Sequence, residues 1–281
     1  MAIGASVLGS RPEGQVGLPS GQIHHATGQN VAPVYEGWYT ATDGTTRVLF
    51  GYLNKNYAEE VDISVGPNNK IEPGTADSGQ PTHFLPRRQY GVFAVTLPRD
   101  QPKVEFTWTL TIRGRSESVP ATLNPVYIID ALKHVGGTED GATPPILRFS
   151  ASGPPGFGPA GIRTTLKASV SQPVALDVWV ADETATATVP GRGPIPSAPS
   201  GRARSQLKVT WQKFRGAGSV VFGNSAPAIQ DGKASTVATF SEPGAYTLRV
   251  VAFRGANVSG QCCWTNGYVE VSVDGAASIR R

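Results

Sequence analysis

Apolar and polar residues alternate in short runs along most of this chain. The clearest run places Val104, Phe106, Trp108, Leu110 and Ile112 between Glu105, Thr107, Thr109 and Thr111. A period of two puts all five apolar side chains on one face of a strand, with that face in a core and the other in water. A slip of one residue would expose all five, so the register is strongly specified. Val61, Ile63 and Val65 alternate in the same way with Glu60, Asp62 and Ser64. Val34, Tyr35, Trp38 and Tyr39 mark an aromatic opening strand, and further strands are predicted at Arg47 to Leu53 and Val92 to Leu97. Thr42-Asp43-Gly44-Thr45 predicts a hairpin, because Asp-Gly accepts the positive φ of a tight turn. Tyr127 to Val135 is free of Gly and Pro and is the best helical candidate; a closing strand is the alternative.

The second half repeats the pattern. Strands are predicted from Leu166 to Val170, Val174 to Val180, Leu207 to Trp211, Val220 to Phe222, Ser235 to Phe240, Tyr246 to Phe253 and Tyr268 to Val273. Asp231-Gly232 and Asn266-Gly267 supply turn signals. Many short strands separated by turns predict an all-β chain of two tandem β-sandwich domains.

Composition agrees with that class. The 281 residues include 33 Gly and 23 Pro, which punctuate turns, and only 16% are charged against about 25% in average proteins. The length predicts two domains. Residues 1–30 form an extended low-complexity arm, 31–135 the first sandwich, 136–145 a linker, 146–275 the second sandwich and 276–281 a tail. The arm is too poor in apolar surface to offset its ordering entropy alone, so a partner surface is expected to order it. Pro190 to Ser205 reads as a long surface insertion.

Trp211 stands on a Val-Thr-Trp strand some thirty residues before Ser241-Glu242-Pro243-Gly244-Ala245-Tyr246-Thr247-Leu248-Arg249-Val250. This pair of segments resembles the buried-Trp strand and penultimate strand of PKD-like and other immunoglobulin-like domains. The resemblance implies an immunoglobulin-like second sandwich, whose Tyr246 closes a corner against nearby backbone, and a family that works mostly by contact. The whole chain is also similar to a group of uncharacterised exported bacterial two-domain β-sandwich proteins, through Tyr35 to Tyr39, Phe50 to Asn54, Gly79 to Gln89 and Cys262 to Asn266. No functional residue carries over from that group.

Candidate chemistry is sparse. His24, His25, His83 and His134 lack the spacing of a zinc site, and no cofactor fingerprint or P-loop occurs. Cofactor, metal and catalytic residues are therefore expected to be absent. The net charge of +4 is spread over scattered Arg pairs and not gathered on one stripe, which speaks against nucleic acid. Cys262 and Cys263 are adjacent, and three states are open to them: a vicinal disulfide, a reduced packed pair, or a bond to another chain. Trp38 and Tyr39 are candidates for stacking on sugars, although neighbours on a strand point to opposite faces.

No apolar run is long enough to cross a membrane as a helix. Met1 to Gly21 show no basic and apolar leader, which taken literally favours the cytoplasm; the domain type favours a periplasmic or extracellular location. The expectation is a non-catalytic structural or protein-binding module, an extrinsic subunit or spacer in a larger assembly that includes a membrane-embedded complex. Its expected contacts are the arm with His24 and His25, the Gln80 to Gln89 loop with His83, Arg87 and Arg88, and the Pro190 to Ser205 insertion with Arg202 and Arg204. A carbohydrate-binding module is the alternative, with a secreted hydrolase behind it.

Overall fold

The structure is a computed structural model that describes residues 24–97, 105–133, 142–182, 207–255, 258 and 262–275. Most of the predicted arm, most of the linker, His134, the insertion with Arg202 and Arg204, and the tail lie outside these residues. The described chain is all-β, in two sandwiches.

The first half contributes β1 (Val31–Thr40), β2 (Thr46–Asn54), β3 (Val61–Asp62), β4 (Asn69–Glu72), β5 (His83–Phe84), β6 (Arg87–Leu97), β7 (Phe106–Ile112) and β8 (Arg115–Ala121). One sheet runs β1-β2-β6 and the other β4-β7-β8, with β3-β5 as a small third sheet. The alternation on β7 buries Phe106, Trp108 and Leu110 and leaves Thr107 outside. Trp108 packs edge-on against Phe93 (5.1 Å) and Phe50 (5.7 Å) from the opposite sheet, so the aromatic rings hold the layers together. Its indole N–H donates to Asn69 Oδ1 at 3.0 Å, and the fully buried Asn69 amide donates to the carbonyls of Ile63 and Pro81. That network ties the irregular 63–82 stretch to β7.

Two expectations for this half need correction, and one strand was not expected. β8 follows a tight turn at Arg113 (φ 52) and Gly114 (φ 72), and its polar sequence with Pro120 hid it. It is an edge strand with one watered face, where Pro is tolerated. The strand expected through Val65 stops at Asp62, because Gly66 (φ 140) opens a turn that closes on Asn69. No helix spans Tyr127 to Lys133. A single 3-10 turn, Pro125–Tyr127, is capped by Asn124, after which Ile128 bridges Trp38 in parallel and the Ile129 N–H donates to the Trp38 carbonyl. Ile129 and Ala131 are buried while Ile128 is exposed, a period of two and not of 3.6.

The second half contributes β9 (Ile146–Arg148), β10 (Ile162–Ser169), β11 (Val174–Ala181), β12 (Leu207–Arg215), β13 (Val220–Phe222), β14 (Lys233–Phe240), β15 (Gly244–Arg254) and β16 (Trp264–Asp274). The sheets run β13-β14-β11-β9 and β10-β16-β15-β12. Lettered in chain order, these are the A, B, E, D sheet and the C, F, G sheet of an immunoglobulin-like sandwich. The first strand is split: β9 pairs with β11, and β10 pairs parallel to β16. Trp211 on β12 is buried in the core with Phe240, Leu248 and Val250. Tyr246, near the start of β15, donates its hydroxyl to the Glu242 carbonyl at 2.9 Å and accepts from the Gly218 N–H at 3.1 Å.

Asn266-Gly267 is not a turn. Both residues lie inside β16, opposite Val251 and Val250. A Cβ on Gly267 would stand 2.7 Å from Val250 Cγ1 and 2.8 Å from Phe149 Cζ, so the glycine is there for close packing, not for a turn.

Candidate functional site

Among the described residues, a buried cluster and a polar network come together where the sandwiches meet. Tyr39 and Leu49 from the first sheet pack with Ile129 and Ala131 of the following segment and with Val251, Phe253 and Trp264 of the second sandwich, in a buried cluster of their own. Phe214 and Tyr268 from the second sandwich also join the core of the first. Gly91 makes the approach feasible: a Cβ there would lie 2.2 Å from Trp264 Cζ2, and its φ of 46° favours glycine.

A polar network runs through this apolar contact. Arg249, 2% exposed, donates from Nη2 to Asn266 Oδ1 (2.8 Å) and to the carbonyls of Gly91 (3.3 Å) and Tyr90 (3.4 Å). Asn266 donates to the Gly91 (2.9 Å) and Pro159 (2.6 Å) carbonyls, and the Tyr268 hydroxyl donates to the Val92 carbonyl at 2.7 Å. Among the described residues, the guanidinium's hydrogen-bond acceptors are neutral and none is a carboxylate. Burial lowers its pKa and raises that of the Tyr268 phenol. These bonds satisfy irregular β6 backbone at the Gly91 bulge, which buried carbonyls require.

The rim of the junction is charged. Arg215 grips Asp77 through two contacts of 2.8 Å and donates from Nε to the Gln80 carbonyl. Lys213 reaches Asp62 at 3.3 Å, and His83 lies between Asp62 (Nδ1, 2.9 Å) and Glu60 (Nε2, 3.2 Å). Burial pushes the Asp62 carboxyl up, but the hydrogen bond and charge of His83, together with Lys213, outweigh it and leave the pKa lowered. The bidentate Arg215 lowers Asp77. A cleft of about 860 Å³ opens here, lined by Asp62, Arg163, Arg215, Thr247, Glu270 and Ser272. Its charges are paired: Arg163 with Glu270, Arg215 with Asp77, Asp62 with Lys213. Among the described residues no Ser, Thr or Cys side chain is hydrogen-bonded to His83, whose ring contacts are the Asp62 and Glu60 carboxylates.

The expected contact loop from Gln80 to Gln89 is largely interior, which corrects the sequence reading. Gln80 and Phe84 are fully buried and His83 is 7% exposed on β5. Loop-like composition concealed a segment wedged under β12, where the Thr82 N–H donates to the Phe214 carbonyl. Arg88 pairs with Glu36 at 2.7 Å and stacks on Tyr90. Arg87 alone is exposed, over the Tyr57 ring at 3.9 Å. His24 is also exposed and meets the same Tyr57 ring edge-on, 4.3 Å between centroids, while the His25 carbonyl accepts from the Tyr57 N–H. Residues 24–30 thus lie against the loop after β2.

Trp38 and Tyr39 form no stacking platform. Tyr39 is 4% exposed inside the junction cluster, where burial pushes its phenol up to about 12; Trp38 packs on the first core and donates to the Asn124 carbonyl. The alternation that separates neighbouring side chains sends one of them into the protein. Cys262 and Cys263 are joined by a disulfide across a cis peptide, immediately before Trp264.

Several residues of interest escaped sequence reading. Arg249 and Asn266 read as ordinary strand and turn polars. Val126, Tyr127 and Ile128 are 75%, 48% and 52% exposed and form an apolar ridge beside β1. Tyr127 and Ile128 are expected from the sequence at the head of a helix or a closing strand, and Val126 is not singled out. Among the described residues, no cluster of three or more His, Cys, Asp or Glu could hold a metal, and no helix is long and apolar enough to cross a membrane.

No protein-family model matches the chain, and no curated protein matches it in sequence. Among solved structures it is similar to the D00-D0 domain of intimin, at TM-score 0.26 and 15% identity over 86% of this chain and 99% of that one. It is also similar to titin domains Z1Z2 in complex with telethonin (0.24, 11%, 88% and 98%) and to domains 4 and 5 of the S-layer protein SbsC (0.23, 12%, 65% and 70%). The immunoglobulin-like character of the second half rests on its own strand order and corner tyrosine.

Proposed function

We propose that the chain is a non-catalytic structural or protein-binding module, an extracytoplasmic extrinsic subunit or spacer in a larger assembly. The observation that carries this reading is the junction. Two sandwiches that share Trp264, Tyr268 and Phe214, and bury Arg249 between them, behave as a strut of fixed angle. Interdomain surfaces that are large and apolar resist relative motion, whereas small polar ones permit it. The folding units proposed are 31–135 and 146–275. The exposed Val126 to Ile128 ridge and residues 24–30 are the proposed contacts with a protein partner, and the location proposed is periplasmic or extracellular.

The test is native extraction from the source cells followed by gel filtration and cross-linking. The expected result is elution with a larger assembly, in the extracytoplasmic fraction, with cross-links near Lys133 that Tyr127→Asp removes. Elution of the native protein as a free monomer without cross-links overturns the reading.

A further inference from the structure

The outer face of the β13-β14-β11-β9 sheet carries a second feature, whose lining shares no residue with the junction cluster. Trp179 on β11 projects from this face, with Lys233 of β14 opposite it on one side and Arg148 of β9 on the other. Its ring forms part of a groove of about 550 Å³ that is also lined by Asn224, Gln230, Asp231, Lys233 and Ser235. We infer that this groove is a carbohydrate-binding site for a neutral polysaccharide, with Trp179 as the stacking floor.

The walls are built before any ligand arrives. Thr236 Oγ1 donates to the Asn224 carbonyl and accepts from the Asn224 N–H, and Asn224 Oδ1 accepts from the Ala226 N–H. The Trp211 N–H donates to the Ser225 carbonyl at 2.7 Å, anchoring the loop to the other sheet. On the opposite wall Asp231 (φ 50) and Gly232 (φ 77) form a tight turn closed by reciprocal Gln230–Lys233 backbone bonds of 2.8 Å. Among the described residues, the Asn224 amide nitrogen, the Gln230 side chain, the Asp231 carboxylate and the Trp179 indole N–H make no hydrogen bond. A preorganised groove with one aromatic surface and a few convergent free polar groups is the usual make-up of a small-ligand site. A pyranose ring matches it, with an apolar C–H face for the indole and hydroxyls around the edge for amide, carboxylate and ammonium.

Charge selects among ring ligands. Lys233 is paired with Asp177 at 2.9 Å, and Asp231 adds a further negative charge. Nucleic-acid strands, which also stack on aromatic rings, need a positively charged track for their phosphates, and among the described residues here Asp177 and Asp231 offset Lys233 and Arg148. Acidic sugars are disfavoured for the same reason. Lys233 lies over the Trp179 ring, 5.0 Å from its centroid, and is 39% exposed; sugar binding requires its long stem to leave the indole face, from where the ammonium would hydrogen-bond a hydroxyl.

The site is independent of the strut reading. The test is affinity electrophoresis of the full chain through gels containing soluble β-glucan, xylan, galactomannan or, as the acidic control, polygalacturonate. We expect retardation by at least one neutral polymer and none by polygalacturonate. Trp179→Ala should weaken binding at least tenfold and Asp231→Asn several-fold, while Trp38→Ala leaves it unchanged. Thermal melts check that the variants stay folded, and Trp179→Phe should retain part of the affinity. Retardation by none of the neutral polymers, or binding that survives Trp179→Ala, overturns the proposal.

Discussion

At the scale of single residues, this protein depends on side chains whose importance comes from one close approach. Gly91 is the clearest. Any side chain there meets Trp264 and must also hold a positive φ. Overpacking costs about 1–3 kcal/mol and the left-handed backbone about 1–2 kcal/mol more. Gly91→Ala is therefore expected to destabilise the chain by roughly 2–5 kcal/mol in urea unfolding, with a change in tryptophan fluorescence as the ring shifts. Tyr246 depends on two hydrogen bonds, to Glu242 and from Gly218. Tyr246→Phe keeps the ring against Phe240 (4.9 Å) and removes only those bonds, so the loss should be about 1–3 kcal/mol by the same measurement. An unchanged midpoint would show that water replaces the hydroxyl at no cost.

Among the elements, β16 does the most varied work. It pairs with β15 on one side and β10 on the other, and its start anchors the junction through Trp264, Asn266 and Tyr268. Its Gly267 leaves room for Val250, Phe149 and Leu147. Gly267→Ala should cost about 1–3 kcal/mol through overpacking, read as a lowered thermal midpoint with the far-ultraviolet spectrum retained. β7 and β16 also differ in how well sequence reveals them. β7 has one face in a core and one in water, so its alternation is unbroken. β16 is buried on both faces along its first half, so a polar Asn266 and a Gly267 interrupt the pattern and imitate a turn. The hydrogen bonds that make Asn266 acceptable come from Gly91 and Pro159, more than one hundred residues away in sequence.

At the scale of the whole molecule, the rim ion pairs make the junction sensitive to acid. The carboxyls of Asp77 and Asp62 both titrate below their ordinary values in the folded chain. A depressed acid contributes stability above the unfolded pKa of about 3.9, and that contribution is lost as pH falls through the folded value. Glu36 has the opposite sign: burial, only partly offset by Arg88, raises its pKa, so its effect favours the folded state at low pH. The urea midpoint should fall between pH 5 and pH 2.5, and Asp77→Asn should flatten part of that fall while lowering the midpoint at pH 7 slightly. Identical pH profiles for the two proteins would show that the Arg215–Asp77 clamp contributes nothing.

The sequence by itself determined the class of the fold, several of its strands, the hairpin at Asp43-Gly44, and the Trp211 and Tyr246 pair of the second sandwich. These are local matters. A period of two and a residue that accepts positive φ act through their neighbours in the chain, and they leave the same trace wherever the segment ends up. Only the tertiary structure decided that His83 and Gln80 are interior, that Tyr39 is core, that Asn266-Gly267 runs straight, and that Arg249 is buried where the two sandwiches meet. Each of these depends on what lies opposite. A polar side chain can be buried when distant backbone satisfies it, and no local pattern records where that backbone will come from.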